Sequence, residues 1–278
     1  MMKHIGVVLT GALILGSGCF NAKTDSRRSL VYASWNIGHY AYGRDFKTRV
    51  NPEEAVGRKR AYRDFLESVG ADVLGVCEYY DAFTTDQKIE ARSAVFGNYR
   101  QAEIGPQEAW QWNALFFNGL TVLERKVRYY PKHVQNVYYL AVKVLLSDGE
   151  PAWFVQTHLD WGTCFKGHAD DRADQMRVLI EDFKEERRVV IAGDFNIGDR
   201  GRDDVRRENT ISTPEEFDVF AQAGYQLGNV ANAPTCPTDN PTLPLDNIMA
   251  KGLKIVDFNI RPVGDLSDHN AISCRIVW

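Results

Sequence analysis

Val189-Val190-Ile191-Ala192-Gly193-Asp194-Phe195-Asn196 is the stretch on which the fold turns. Four consecutive apolar residues read as a strand buried on both faces, the kind found inside a layered α/β structure rather than on a sheet with one wet face. Gly193 then permits close approach of a neighbouring backbone. In extended chain, residues two apart share a face. Asp194 and Asn196 are therefore expected to project together, with Phe195 pointing into the core. Taken alone, the same tetrapeptide also suits an Asx-rich turn.

Working outward, the pattern alternates strands and helices. Upstream, residues 120–130, 137–146 and 153–157 read as antiparallel neighbours, and a charged helix is expected over 169–185. Nearer the N-terminus, strands are expected at 30–35, 72–77 and 112–117. Asn51 and Pro52 suit the N-cap and first position of a helix that runs to Val69 and stops at Gly70. Downstream, Thr213-Pro214-Glu215-Glu216 is a capping box with Pro at the first helical position, opening a helix to about residue 223. Strands at 245–250, 253–260 and 271–277 complete the chain. Many strands adjacent in sequence, with helices interspersed, point to two mixed sheets packed face to face with helices outside, not to one doubly wound parallel sheet.

Composition sets the limits. The 278 residues are 44% hydrophobic and 25% charged, ordinary globular values, so a core can form without metal or disulfide staples. No linker, repeat or low-complexity tract follows Leu30, and residues 30–278 read as one domain. A formal net charge of −4 gives no global attraction to a polyanion. The pairs Arg187-Arg188 and Arg206-Arg207 and the run Arg58-Lys59-Arg60 read as solvated surface.

The first 19 residues read as a targeting segment. Lys3 gives a positive start, and 5–15 is an apolar run too short to span a bilayer. Gly16-Ser17-Gly18-Cys19 resembles a bacterial lipobox, with Cys19 as the lipidated residue; Gly16 stands where Leu is preferred. Residues 20–29 form a polar tether. The expectation is an exported protein held at the bacterial cell envelope by its lipid alone, facing the periplasm or the cell surface. Of the other cysteines, Cys77 and Cys274 lie in apolar runs and read as small buried hydrophobes. Cys164 and Cys236 lie in loops, and nothing in the spacing argues that they are bridged. No spacing resembles a zinc site.

Polar residues recur where strands end: Asn36, Glu78, His158, Asp194 with Asn196, Asp246, and Asp268 with His269. Binding and catalytic groups often occupy loops held by such a scaffold. Each alone is weak evidence. Together and in this order they read Trp-Asn, Glu, Thr-His-Leu, Gly-Asp-Phe-Asn, Leu-Asp-Asn-Ile and Ser-Asp-His. That series resembles the endonuclease/exonuclease/phosphatase superfamily across residues 30–278. The resemblance implies a four-layer α/β/β/α sandwich of two mixed β-sheets flanked by helices.

It also implies roles. Glu78, Asn36 and Asp268 match the family's metal-binding positions. Asp194 matches the residue that orients or deprotonates the attacking water, and Asn196 and Asn36 match phosphate contacts. His269 matches the His beside the scissile phosphate, and Asp246 the carboxylate that orients it. His158 matches the Thr-His position of the deoxyribonuclease and sphingomyelinase branches, whereas abasic-site endonucleases use a Tyr there. Arg172 and Gln175, after Thr157-His158-Leu159-Asp160, resemble a bacterial subset with Arg and Gln on the next helix. Pro244-Leu245 before Asp246 departs from the Arg or Ile common in the family. His39, Tyr40 and Trp161 flank the motifs, and His39, Trp161 and Arg172 are expected to contact substrate.

The chemistry needs these residue types. A hard cation on oxygen ligands neutralises an anionic ester, and Mg²⁺ typically takes one or two carboxylates, with Mn²⁺ as a substitute. Neutral amides and a cationic imidazole contact phosphate without repelling it. The function read from the chain is hydrolysis of a phosphate ester by a monomer. The leading form is a phosphodiesterase acting on a nucleic acid, a phospholipid head group or a small diester. A phosphomonoesterase of sugar or inositol phosphates and a non-catalytic binding protein remain the alternatives.

Overall fold

A computed structural model describes residues 28–40, 52–81, 90–106, 112–131, 137–160, 171–197, 217–236 and 244–278. The first sheet draws on β1 (Ser29–Asn36), β2 (Val73–Cys77), β3 (Gln101–Ile104), β4 (Asn113–Phe117), β11 (Lys254–Arg261) and β12 (Ala271–Val277). The second draws on β5 (Thr121–Tyr129), β6 (Tyr138–Leu145), β7 (Pro151–His158), β8 (Val189–Asp194), β9 (Gln226–Leu227) and β10 (Asp246–Lys251). Their orders are β11-β12-β1-β2-β4-β3 and β5-β6-β7-β8-β10-β9.

Each sheet is antiparallel except at its centre. There β1 pairs with β2, and β7 with β8, in parallel. A parallel pair needs a crossover. Helix α1 (Pro52–Val69) lies on the first crossover, and α3 (Asp171–Asp182) on the second. Two short helices, α2 (Ala91–Ala94) and α4 (Asp218–Gln222), and 3₁₀ turns at Gly38–Tyr40 and Gly264–Leu266 complete the described elements. None of the described helices is long and apolar enough to cross a membrane.

Three apolar layers alternate with the four structural ones. Tyr32, Val73, Leu115, Phe154, Val190 and Ile248 fill the space between the sheets. Trp35, Val76 and Phe116 face the other way, toward Tyr62 and Leu66 of α1. Val155, Ile191 and Met249 do the same toward Met176 and Leu179 of α3 and Phe220 of α4. Alternation along β8 explains why that stretch lacks polar residues: Val190 and Ala192 face the other sheet while Val189 and Ile191 face the helices. The architecture is the expected α/β/β/α sandwich.

The elements differ from expectation mainly at their ends. Helix α3 stops at Asp182 rather than 185, and β3, β9 and α2 are too short to show a period in sequence. The capping box at 213–216, Asn51 and the segment 1–27 lie outside the described residues. Cys77, Cys236 and Cys274 are free and buried, so no bridge closes on Cys236; Cys164 lies outside the described residues.

Candidate active site

Strand parity assembles the site. Residues 32, 34 and 36 of β1 share a face, as do 154, 156 and 158 of β7, 190, 192 and 194 of β8, and 246, 248 and 250 of β10. In each series the apolar members lie in the inter-sheet core. The terminal members Asn36, His158, Asp194 and Asp246 are all buried polar side chains at one end of the same interlayer space. Register brings them level: His158 stands opposite Asp194, and Asp194 opposite Asp246.

A polar seam separates this cluster from the apolar core. Gln156 Oε1 accepts from Tyr32 Oη (3.2 Å), while Nε2 donates to Ser34 Oγ and Cys77 Sγ (both 3.0 Å). The sheets approach so closely here that a Cβ at Gly75 would fall 1.9 Å from Gln156 Oε1. Gly193 is more constrained still. Its φ is +143° and a Cβ would fall 1.8 Å from the Thr157 carbonyl oxygen, so only glycine lets β8 lie against β7 at this point.

Asp194 is the centre. Its Oδ2 accepts from Asn36 Nδ2 (3.1 Å) and lies 3.3 Å from His158 Nε2 and 3.5 Å from His269 Nε2. Its Oδ1 accepts from the Asn196 backbone N–H (2.8 Å). Asn36 Nδ2 also donates to Glu78 Oε1 (3.1 Å), and Asn36 Oδ1 accepts from the Gly38 N–H (3.1 Å). One amide thus ties Glu78 to Asp194 across the two sheets.

His269 joins the halves a second time. It precedes β12 of the first sheet, yet its Nδ1 lies 2.8 Å from Asp246 Oδ2 of the second. Burial opposes a charge on His269, but the Asp246 and Asp194 carboxylates beside it overcome that and hold the imidazole pKa well above its ordinary value. Burial likewise pushes the Asp246 carboxyl up. Burial also raises the Glu78 carboxyl; His158 pulls against this, and the nearby Asp268 charge adds to it.

Two site residues occupy strained backbone. Glu78 (φ +52°) and Asn196 (φ +51°) are left-handed, a conformation that costs an L-residue about 1–2 kcal/mol. For Asn196 this departs from the extended chain expected. Strand β8 ends at Asp194, whose side chain closes an Asx turn on the Asn196 N–H, and Asn196 Nδ2 swings to the Leu159 carbonyl (2.9 Å). Phe195 is in the core as expected.

The structure brings together Asn36, Glu78, His158, Asp194, Asn196, Asp246, Asp268 and His269. Among the described residues, Asp194, Asp246 and His269 also place ligand atoms within 4.8 Å of one another. Asp246 and Asp194 face the His269 imidazole at 2.8 and 3.5 Å, whereas the Glu78 carboxyl feels the like charge of Asp268. Arg172 is 4% exposed and donates to the Asn196 carbonyl. Tyr40 is buried, packs on Tyr62 and donates to the Tyr80 carbonyl (2.8 Å). His39 is described only by its backbone, and Trp161 lies outside the described residues.

Supporting residues went unread in the sequence. Ser267 Oγ donates to the Asn36 carbonyl (2.6 Å) and accepts from the His269 N–H (3.1 Å). Trp35 Nε1 donates to the His269 carbonyl (3.0 Å). Thr235 Oγ1 accepts from the Asp246 N–H (3.0 Å), and its carbonyl accepts from the Asn270 N–H (2.7 Å). Ser267 and Trp35 adjoin motif residues and could have been found there; Thr235 carries no local signal.

Paired mixed sheets between helices, with acids and imidazoles converging at one set of strand ends, define a four-layer α/β sandwich with its polar site at one edge of the inter-sheet space. Residues 33–269 match the Endonuclease/Exonuclease/phosphatase family, and the chain belongs to it. Among solved structures it is similar to TDP2 from C. elegans (16% identity, 90% of this chain and 75% of that one, TM-score 0.64). D. rerio TDP2 complexed with single strand DNA product is similar too (17% identity, 91% and 100% coverage, TM-score 0.65). So is the endonuclease/exonuclease/phosphatase from Bacteroides vulgatus (16% identity, 90% and 99% coverage, TM-score 0.65). These likenesses are of fold. No curated protein sequence matches the chain.

Proposed function

We propose that this chain is a divalent-metal-dependent phosphodiesterase, working with Mg²⁺ or, in substitution, Mn²⁺, as a monomer outside the cytoplasm on a lipid anchor at Cys19. The observation that carries the reading is the buried His269, its Nδ1 2.8 Å from Asp246 and its Nε2 3.5 Å from Asp194, beside the acids Glu78 and Asp268.

The donor set suits a hard cation. Glu78 and Asp268 oppose each other's charge, and burial raises the Glu78 carboxyl. Glu78 and Asp268 would hold the ion, with Asn36 beside them. Such an ion, when bound, offsets phosphate charge and polarises the phosphoryl group.

The chain's own residues supply the rest. Asp194 is placed to orient an attacking water and take its proton, at the point where Asn36, His158 and His269 converge on its Oδ2. Asp246 holds the His269 ring by its Nδ1, so that Nε2 presents an N–H to a phosphate oxygen. His158, whose Nδ1 is buried without a partner among the described residues and whose Nε2 lies 3.3 Å from Asp194 Oδ2, is suited to the phosphate or the leaving oxygen. Asn36, a neutral amide between Glu78 and Asp194, does not repel an anion there, while Asn196 Nδ2 is held by the Leu159 carbonyl. The similar D. rerio TDP2 structure holds a single-strand DNA product, and the similar human Nocturnin catalytic domain holds a sulfate anion, which supports a phosphodiester substrate.

The test is hydrolysis of bis-p-nitrophenyl phosphate and p-nitrophenyl phosphate with Mg²⁺, Mn²⁺ or EDTA, beside His269→Ala. Diester hydrolysis that needs both metal and His269 is expected. Preference for the monoester, or turnover indifferent to EDTA, would overturn the reading.

A further inference from the structure

Behind the catalytic cluster, α3 reaches two of its loops at once. Arg172 and Gln175 stand three apart and share one helix face. Arg172 Nη1 donates to the Asn196 carbonyl, and Gln175 Oε1 accepts from the Asp160 N–H (2.9 Å). Both side chains are buried, at 4% and 0% exposure. The two loops they hold are stitched to each other: the Leu159 N–H donates to the Asp194 carbonyl (2.8 Å), and Asn196 Nδ2 donates to the Leu159 carbonyl (2.9 Å).

Neither grip is on apolar packing. Each is on main chain that would otherwise need a partner in a buried place, where an unmet polar group is costly. The residue held by Arg172 is the left-handed Asn196 (φ +51°), a conformation that persists only where its surroundings over-determine it. Asp194 fixes Asn196 from its amide side, and Arg172 fixes it from its carbonyl side. The peptide next to His158 is fixed through Asp160 by Gln175.

We infer that Arg172 and Gln175 are positioning residues that act through Asn196 and Asp160, clamping the His158 and Asn196 loops in the register in which Asp194 meets His158. Arg172 acts through the Asn196 main chain. This rests on the proposed phosphodiesterase site for its kinetic consequence, but its structural half stands without it. A displacement of about 1 Å at a reacting group is enough to cost a hundredfold in rate.

The experiment uses the full chain as wild type, Arg172→Met, Arg172→Lys and Gln175→Met. Hydrolysis of bis-p-nitrophenyl phosphate with Mg²⁺ is measured beside residue-resolved amide hydrogen exchange. Arg172→Met is expected to lower kcat by about ten- to a hundredfold with KM changed less than about twofold. Arg172→Lys, which keeps a cationic donor, should recover most of that loss. Amides of Leu159 and Asn196 should exchange at least about tenfold faster in Arg172→Met, and that of Asp160 in Gln175→Met, with β1 and β2 unchanged. A rise in KM alone would make Arg172 a direct substrate contact and overturn the positioning role. Undiminished kcat with the three amides still protected would also overturn it. If Arg172→Met does not fold, Gln175→Met is read by the same two criteria. If the wild type cleaves no diester, the phosphodiesterase reading falls and the exchange pattern alone decides the clamp.

Discussion

The two sheets contribute halves of one site that are built alike and tuned differently. Each half hangs on a central parallel pair whose crossover carries a helix, β1–β2 with α1 and β7–β8 with α3. In both, the helix reaches back to main chain beside the site. Arg58 of α1 donates to the carbonyls of Asp265 (2.9 Å) and Leu266 (3.0 Å), just before Asp268, as Arg172 of α3 does to Asn196. The side chains they frame differ. The first sheet presents Glu78 and Asp268, both partly exposed acids, with Asn36 beside them. The second presents His158, Asp194 and Asp246, buried and joined by short contacts. One half gathers negative charge where a cation can reach it, and the other commits its acids to imidazoles. In the proposed function the two halves take separate tasks, metal binding and proton handling, and His269 crosses from the first to the second.

That division can be broken or sharpened by substitution. The largest effect is expected for Asp194→Ala and His269→Ala, each losing at least about a thousandfold in kcat while the fold and metal binding persist, read by diester hydrolysis and circular dichroism. Gly193→Ala should come next, and it tests the scaffold rather than the chemistry. Its Cβ would meet the rigid Thr157 carbonyl, so urea unfolding should show a loss of more than about 4 kcal/mol or no folded protein. Gly75→Ala in the other half meets the movable end of Gln156, and its loss should be smaller. Equal losses would contradict the stated difference between backbone and side-chain contact.

The smallest effect concerns pH. His269 has a folded pKa raised above its unfolded value of about 6.5, burial opposing and the Asp246 and Asp194 charges prevailing. Its contribution to stability is therefore complete below about pH 6.5 and is lost as pH rises through the raised value. Metal-free wild type should outlast His269→Gln in thermal unfolding near pH 6 by on the order of 1 kcal/mol, and the gap should close on the alkaline side. A gap that widens with pH would mean that the imidazole is neutral when folded.

Much of this was legible in the chain. The unbroken apolar run at 189–192 announced a strand buried on both faces, and residue parity at strand ends announced which polar groups would share a face. Asn51-Pro52 and Gly70 framed a helix that spans Pro52–Val69 in the structure. What sequence could not show were properties of contact. Asn196 reads as extended until the Asp194 carboxylate captures its N–H and turns it left-handed. Arg172 reads as a substrate contact or a helix surface, because only the packing of α3 on β8 decides where its guanidinium goes. Thr235 lies far in sequence from Asp194 and His269, and it matters only because β10 and the turn before β12 meet there.

The separation of tasks is tested most directly by titrating Mn²⁺ into metal-free wild type, Glu78→Gln and Asp246→Asn by calorimetry. Glu78→Gln should weaken binding by more than about tenfold, while Asp246→Asn, whose partner is an imidazole, should bind nearly as wild type does. The reverse result, with Asp246→Asn losing the ion and Glu78→Gln keeping it, would place the metal among Asp194, Asp246 and His269 and contradict the division between the halves.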